Sequence, residues 1–232
     1  MVTVVGLGAV GGYAVEGLAR AGIGHLRLVD FDRIRLHNIN RQIIALEETI
    51  GLKKTEVLAA RVNAINPDCR VEPLDLFADA NTAPEILTPS PQLLIDAIDS
   101  LNPKFELLAA AHERGIPVIS SMGAALRTDP SHIKVAGILD TKNCPLARRL
   151  RKKLRHHGMG ENISCVYSDE PVHFDYQDPE SEPDDETVAG YERGRQRRVL
   201  GSLPTITGIF GLMIANLAIQ KISGYRSGQG RY

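Results

Sequence analysis

The stretch Val2-Thr3-Val4-Val5-Gly6-Leu7-Gly8-Ala9-Val10-Gly11-Gly12 decides how this chain folds. A short apolar, β-branched run stops abruptly at glycine, as a strand buried on both faces does in a parallel sheet. Beyond it Val10, Tyr13, Ala14, Gly17, Leu18 and Ala21 recur at helical spacing until Gly22, so residues 9–21 read as an amphipathic helix. The glycines of Gly6-x-Gly8-x-x-Gly11 therefore stand between a strand and a helix. In that context they permit a tight turn and bring backbone N–H groups to a phosphate at the positive end of the helix.

The same alternation continues outward. Residues 25–30 read as a strand, 53–65 as a helix stopped by Asn66-Pro67, 70–76 and 93–98 as strands, 103–114 as a helix ended by Gly115, and 116–121 as a strand. This predicts an α/β fold with a doubly wound, largely parallel, Rossmann-like sheet. The second half is less regular. A strand over 133–139, a helix over 145–156 edged by Leu146, Leu150 and Leu154, and a strand over 163–167 predict a mixed, partly antiparallel C-terminal extension. Residues 169–186 hold many carboxylates and three prolines without a period, and Arg193, Arg195, Arg197 and Arg198 follow. A mobile acidic loop is expected over 169–198. Ser202-Leu203-Pro204 opens a last helix, and the polar tail over 225–232 is expected to fray.

Composition narrows the function classes. The chain has 232 residues, 27 Lys and Arg against 28 Asp and Glu, and 43% hydrophobic residues, the balance of a soluble globular protein. Whole-chain disorder is excluded, and a net charge of -1 gives no general argument for nucleic-acid binding. Cys69, Cys144 and Cys165 form no Cys-x-x-Cys pair, which fits a reducing cytoplasm and neither a disulfide scaffold nor a four-cysteine zinc site. The glycine loop follows the start so closely that no signal peptide is expected. Residues 203–222 are apolar but carry Pro204, Thr205, Thr207, Asn216 and Gln220. A buried core helix is expected there, not an integral span; peripheral membrane association is the alternative.

Asp30 closes the second strand, where a carboxylate can hydrogen-bond a ribose hydroxyl, so these residues alone would suggest an NAD enzyme. Three later features point elsewhere. His37-Asn38-Ile39-Asn40-Arg41-Gln42 puts polar donors and a guanidinium after that strand, Lys53-Lys54 opens the next helix, and Asp96-Ala97-Ile98-Asp99-Ser100 ends the fourth strand with two carboxylates at the ligand-binding edge. A dinucleotide has little use for such groups. A triphosphate under nucleophilic attack needs cations against developing charge and a carboxylate for Mg²⁺. Singly, Arg41 could be a solvated loop residue, Lys53-Lys54 a surface pair and Asp99 a helix cap. Their joint order carries the reading.

That order resembles the ThiF-type adenylyltransferases related to ubiquitin-activating enzymes, in which a substrate carboxylate attacks the α-phosphate of ATP. The resemblance implies one adenylation domain over 1–232, with a nucleotide-binding half at 1–122 and a substrate and dimer half at 123–224. It implies that Gly6, Gly8, Ala9 and Gly11 hold phosphates and Asp30 the ribose, with Asp32, Asn40, Gln42 and Ser100 beside the nucleotide. Asn38, Arg41 and Lys54 would clamp the phosphate chain and Asp99 would hold Mg²⁺, which makes Arg41, Lys54 and Asp99 the catalytic set. Ala9 stands where many members have another glycine.

Within this superfamily the chain is most similar to the tRNA threonylcarbamoyladenosine dehydratases. The shared segments are Leu28-Val29-Asp30-Phe31-Asp32, Asn38-Ile39-Asn40-Arg41-Gln42, Ile65-Asn66-Pro67, Ile95-Asp96-Ala97-Ile98-Asp99-Ser100, Cys165-Val166-Tyr167-Ser168-x-Glu170 and Gly201-Ser202-Leu203-Pro204-Thr205-Ile206-Thr207-Gly208. The branch implies ATP and Mg²⁺ but no zinc or NAD, a tRNA acceptor modified in its anticodon loop, a homodimer, and a sulfur-transfer protein as a further candidate partner. Activation of the C-terminus of a ubiquitin-like or sulfur-carrier protein is the alternative, and nucleotide binding without turnover a third reading. Family members carry an arginine ahead of the first strand that reaches the partner's ATP; the sequence here begins at that strand, so either its start is truncated or a site short of one cation is expected. Cys144 and Cys165 are expected to be structural, because the attacking ureido group belongs to the acylated molecule itself. Arg148-Arg149, Arg151-Lys152-Lys153 and Arg155-His156-His157 surround the leucine edge of one helix, and that basic face, with the 193–198 run, is the expected tRNA contact.

Overall fold

The computed structural model of the chain describes residues 1–172 and 200–224. Its strands are β1 (Val2–Val5), β2 (His25–Val29), β3 (Arg70–Leu74), β4 (Leu93–Asp96), β5 (Val118–Ser121), β6 (Ile133–Gly137) and β7 (Ile163–Ser168). They form one sheet in the order β3-β2-β1-β4-β5-β7-β6. Neighbours run parallel except β6, which lies antiparallel to β7 at the edge. The mixed extension expected from the second half is thus a single reversed edge strand.

The helices are α1 (Gly11–Arg20), α2 (Lys54–Ile65), α3 (Ala83–Ile86), α4 (Leu101–Glu113), α5 (Pro145–His156) and α6 (Pro204–Ser223). Two apolar cores lie on the two faces of the sheet. Ala14, Leu18, Leu58, Val62, Phe210 and Ile214 join α1, α2 and α6 to one face; Phe105, Leu108, Leu150 and Leu154 join α4 and α5 to the other. Strand β1 serves both, with Val2 and Val4 in the first core and Val5 in the second, which explains why it is β-branched throughout and buried along its whole length. Helix α6 is long and apolar enough to cross a membrane by length and composition. It packs instead on α1, so closely that a Cβ at Gly211 would stand 2.5 Å from the Val10 carbonyl oxygen.

Three expectations are corrected. The strand over 93–98 stops at Asp96, because the Asp96 carboxylate turns inward and its Oδ1 accepts the Ile98 N–H at 3.1 Å. The strand over 133–139 stops at Gly137 and gives way to a 3-10 turn, Ile138–Asp140. The acidic segment does not loosen at 169: Asp169 pairs with His132 and Lys134, and the Glu170 carboxylate accepts from the Thr128 N–H and hydroxyl and the Asp129 N–H. The rest of that segment, including Arg193, Arg195, Arg197 and Arg198, and the tail lie outside the described residues. Short turns at Leu36–Asn38 and Glu47–Thr49 carry no strong sequence signal.

Candidate nucleotide site

The chain winds outward from β1 through β2 to β3, then returns to β4 on the other side of β1. The carboxyl ends of β1 and β4 therefore flank a topological switch point, where open α/β sheets bind ligands. The glycine loop fills the β1 side of this crevice. Gly6 sits at φ +87°, and a Cβ there would lie 2.8 Å from the Ala97 carbonyl oxygen; one at Gly11 would lie 1.8 Å from the Gly6 carbonyl oxygen. Both glycines are dictated by the protein's own packing. Gly8 is different: beyond its chain neighbours, a Cβ there would meet within 4 Å only Gln42 Nε2, at 3.7 Å. The space beside Gly8 is an open cradle above the N-terminus of α1, with half-buried Ala9 on its rim.

Asp30, expected to meet a ribose, fixes this loop. Its Oδ2 accepts the Leu7 N–H at 2.7 Å and its Oδ1 the Asp32 N–H at 2.9 Å. Burial pushes its carboxyl above the usual range, although Lys54 and the two N–H donors pull the other way. Lys54 Nζ lies 2.8 Å from Asp32 Oδ2 and 3.9 Å from Asp30 Oδ2, so the cation expected on the phosphates rests between two carboxylates. A buried ammonium without such partners would be expensive.

The excursion between β2 and α2 supplies the polar rim. Asn38 is buried and spends its Oδ1 on the Arg35 N–H at 3.0 Å, while its carbonyl receives the Arg41 and Gln42 N–H groups. Arg41 is folded onto its own turn, its Nη1 donating to the His37 carbonyl at 2.7 Å and to Asn40 Oδ1 at 2.8 Å. Gln42 is 7% exposed, and its Oε1 has no hydrogen-bond partner among the described residues. Its Nε2, not this oxygen, is the atom that borders the space beside Gly8.

At the β4 end the two expected edge carboxylates take different places. Asp96 is fully buried and bound to Lys104 Nζ at 2.5 Å and to the Ser120 hydroxyl at 2.6 Å; only Asp99 is exposed at the crevice. Asp99 is not the helix cap either, since Ser100 holds that position and makes no side-chain capping bond. Ser100 Oγ donates to Asp99 Oδ1 at 3.4 Å. Lys104 and Ser120 were invisible as site neighbours in the sequence; an Asp ending a fully buried strand, which must find a cation, was the available signal. Glycines 6, 8 and 11, Gln42, Asp30, Asp32 and Lys54 are thus neighbours in one group, Asp99 and Ser100 follow the turn that packs on Gly6, and Asn40 and Arg41 belong to the turn that precedes Gln42.

The cysteines stay out of this crevice. Cys144 Sγ caps α5, accepting the Ala147 N–H at 3.5 Å, and burial pushes the Cys165 thiol up to about 12, far from a usable thiolate. Among the described residues no three His, Cys, Asp or Glu side chains converge as a metal cage. Asp99 alone fits the habit of Mg²⁺, which takes one or two carboxylates and completes its shell from phosphates and water.

Comparison with known proteins agrees with this fold. The tRNA threonylcarbamoyladenosine dehydratase of Escherichia coli (strain K12) is 35% identical over 236 residues, which span 99% of this chain and 88% of the relative. The protein of that name from Bacillus subtilis (strain 168) is 40% identical over 169 residues, spanning 73% and 66%. A crystal structure of the E. coli tRNA N6-threonylcarbamoyladenosine dehydratase in complex with ATP superimposes with a TM-score of 0.81 at 33% identity, covering 99% of this chain and 88% of that one. The ThiF family model matches residues 1–232, and the chain belongs to the ThiF family.

Proposed function

We propose that this chain is an ATP-dependent tRNA threonylcarbamoyladenosine dehydratase, which closes a ring on the modified adenosine by adenylating its carboxylate. The observation that carries this reading is the cradle at Gly8, open at the switch point, bordered by the Gln42 amide nitrogen and standing beside the Asp30, Asp32 and Lys54 cluster that anchors Leu7. The loop N–H groups and the N-terminus of α1 receive phosphate oxygens, and Asp30 receives the ribose. Lys54 exchanges Asp32 for a phosphate oxygen, and Arg41 leaves its own turn to do the same. Asp99 would hold Mg²⁺ together with the phosphates, and the ion would offset their charge.

The threonyl carboxylate oxygen attacks the α-phosphorus, the bond to the bridging oxygen breaks, and pyrophosphate leaves. The ureido group of the same side chain then attacks the acyl carbon, AMP departs, and the ureido proton passes to solvent. Holding both partners in one molecule replaces a second substrate, so no protein thiol is required.

Helix α5 is the proposed tRNA contact. Leu150 and Leu154 are buried with Ala147, Leu146 is half-buried, and Arg148, Lys152 and Arg155 are exposed. Lys153 instead lies over the Phe105 ring at 4.2 Å, and Arg151 is held by Thr141. A homodimer is supported by the exposed apolar side chains of Phe31, Leu36, Ile39, Leu46, Ile50 and Leu52 in one segment. Three buried free cysteines support a cytoplasmic setting.

The test is ATP–pyrophosphate exchange in the presence of tRNA with and without N6-threonylcarbamoyladenosine, followed by mass spectrometry of the nucleoside. Exchange that needs the modified tRNA, with loss of one water from the base, is expected. Exchange driven instead by a protein C-terminus, or none with modified tRNA, would overturn the reading.

A further inference from the structure

Lys104 and Asp96 form an ion pair with both side chains fully buried, directly beneath the crevice. Lys104 Nζ also donates to the Ser120 hydroxyl at 3.2 Å and the Ser121 carbonyl at 3.0 Å, and Ser120 donates to Asp96 Oδ2. One carboxylate oxygen of Asp96 is thereby tied to α4 and β5. The other, Oδ1, accepts the Ile98 N–H and so fixes the turn that follows β4. That turn forms the seat of the glycine loop: the Ala97 N–H donates to the Val5 carbonyl at 2.8 Å, and the Ala97 carbonyl and Ile98 nitrogen crowd Gly6. The next residue is Asp99.

Buried ion pairs are poor stabilisers, because apolar residues of similar volume do as well or better. Here the charged cluster sits where a backbone turn must be held in one place. We infer that Asp96, braced inside by Lys104 and Ser120, is a positioning residue: its Oδ1 holds the Ala97–Ile98 turn, and through it sets Asp99 against the nucleotide. The inference rests on the adenylation reading. The glycine loop has separate anchors, Gly6 N–H on the Val29 carbonyl and Leu7 N–H on Asp30. Loss of the Asp96 acceptor therefore lowers turnover while ATP affinity is kept.

Two double variants separate this role from mere stability. Both abolish the ion pair, but D96N/K104M keeps an oxygen acceptor for the Ile98 N–H, whereas D96L/K104M does not. The expected result is that D96L/K104M folds, binds ATP within about threefold of wild type, and loses about 10²-fold in kcat, the scale of an ångström misplacement. D96N/K104M recovers most of that loss. Amide hydrogen exchange at Ile98, measured on the ATP-free protein, is slow in wild type and D96N/K104M and fast in D96L/K104M. Slow exchange in D96L/K104M, or equal kcat in the two double variants, overturns the inference. Absence of exchange activity in wild type with modified tRNA would instead strike the functional reading, leaving the Ile98 measurement to decide the positioning role.

Discussion

Alanine at position 8 should separate the ligand from the fold. Gly8 has no positive φ, and a Cβ there meets protein only at Gln42 Nε2, an ordinary approach of 3.7 Å. Without ATP, Gly8→Ala should hold its stability or gain about 0.4–1 kcal/mol from the stiffer unfolded chain. With ATP, the methyl group occupies the cradle. Overpacking of one group costs about 1–3 kcal/mol, which is roughly 5- to 150-fold in Kd. At an ATP concentration of about 100 Kd the wild type gains about 2.7 kcal/mol, and a variant binding tenfold more weakly gains about 1.4 kcal/mol. Melting curves over an ATP series, with calorimetric titration, read both quantities. Gly11→Ala is the control, because its Cβ would stand 1.8 Å from the Gly6 oxygen where real approaches stop near 3.0 Å. That variant should lose stability before any ligand is added. Wild-type ATP affinity in Gly8→Ala, or a loss of ATP-free stability equal to that of Gly11→Ala, would refute the cradle.

Arg41→Ala and Asp99→Ala should each lower turnover by about 10²–10³-fold, measured as pyrophosphate exchange, by analogy with loss of one transition-state donor. Lys54→Ala should do the same and also lower the melting temperature, since it leaves the buried Asp30 carboxylate without its nearest cation. Reversing the exposed Arg148, Lys152 and Arg155 to Glu should weaken tRNA binding with ATP binding intact. The slope of log affinity against log salt should flatten by about 0.7–0.9 for each phosphate the helix no longer neutralises. Burial alone would raise the Glu16 carboxyl, but Arg61 and Arg20 outweigh it and hold it below its ordinary value. The stability from that link is therefore present above about pH 4.3 and lost as pH falls through the folded-state pKa. Denaturant melts should show Glu16→Gln losing about 1 kcal/mol at pH 7 and converging on wild type in acid.

The sheet was legible because its strands are buried on both faces: Val2–Val5 and Leu93–Asp96 are runs, not alternations, and each ends at the ligand edge. The glycine motif was legible for the same reason, since its neighbours named its context. What could not be read was where a polar side chain spends its bonds. Asp96 and Asp99 look alike in sequence, yet one faces Lys104 inside and the other faces the crevice. Lys104 resembles any first-turn lysine on a surface helix, and only the pairing of β4 with β5 brings Ser120 and Ser121 to its ammonium. Asn38 read as a phosphate donor, but a short amide can serve its own backbone first, and it closes the Arg35 turn. Glu170 fell within a segment of acidic composition, which carries no sign of the three donors on Thr128 and Asp129 that its carboxylate meets.

These bonds share one consequence for binding. The cations in and under the site already have partners: Lys54 has Asp32, Arg41 has Asn40 and the His37 carbonyl, and Lys104 has Asp96. For Lys54 and Arg41 the arrival of a triphosphate is then an exchange of anions or dipoles, not a fresh neutralisation, and the net gain is the difference between two pairings. Such a gain is small in the ground state and grows only where phosphate charge rises above its resting value, as it does when pyrophosphate departs. Interactions of that kind raise kcat more than they lower KM. Lys104 cannot join the exchange, because its partner is buried with it and its bonds run to the scaffold. On the proposed adenylation reading the two classes of cation therefore divide the work, with the pairs that border the crevice yielding to substrate and the enclosed pair bracing the turn against which they yield.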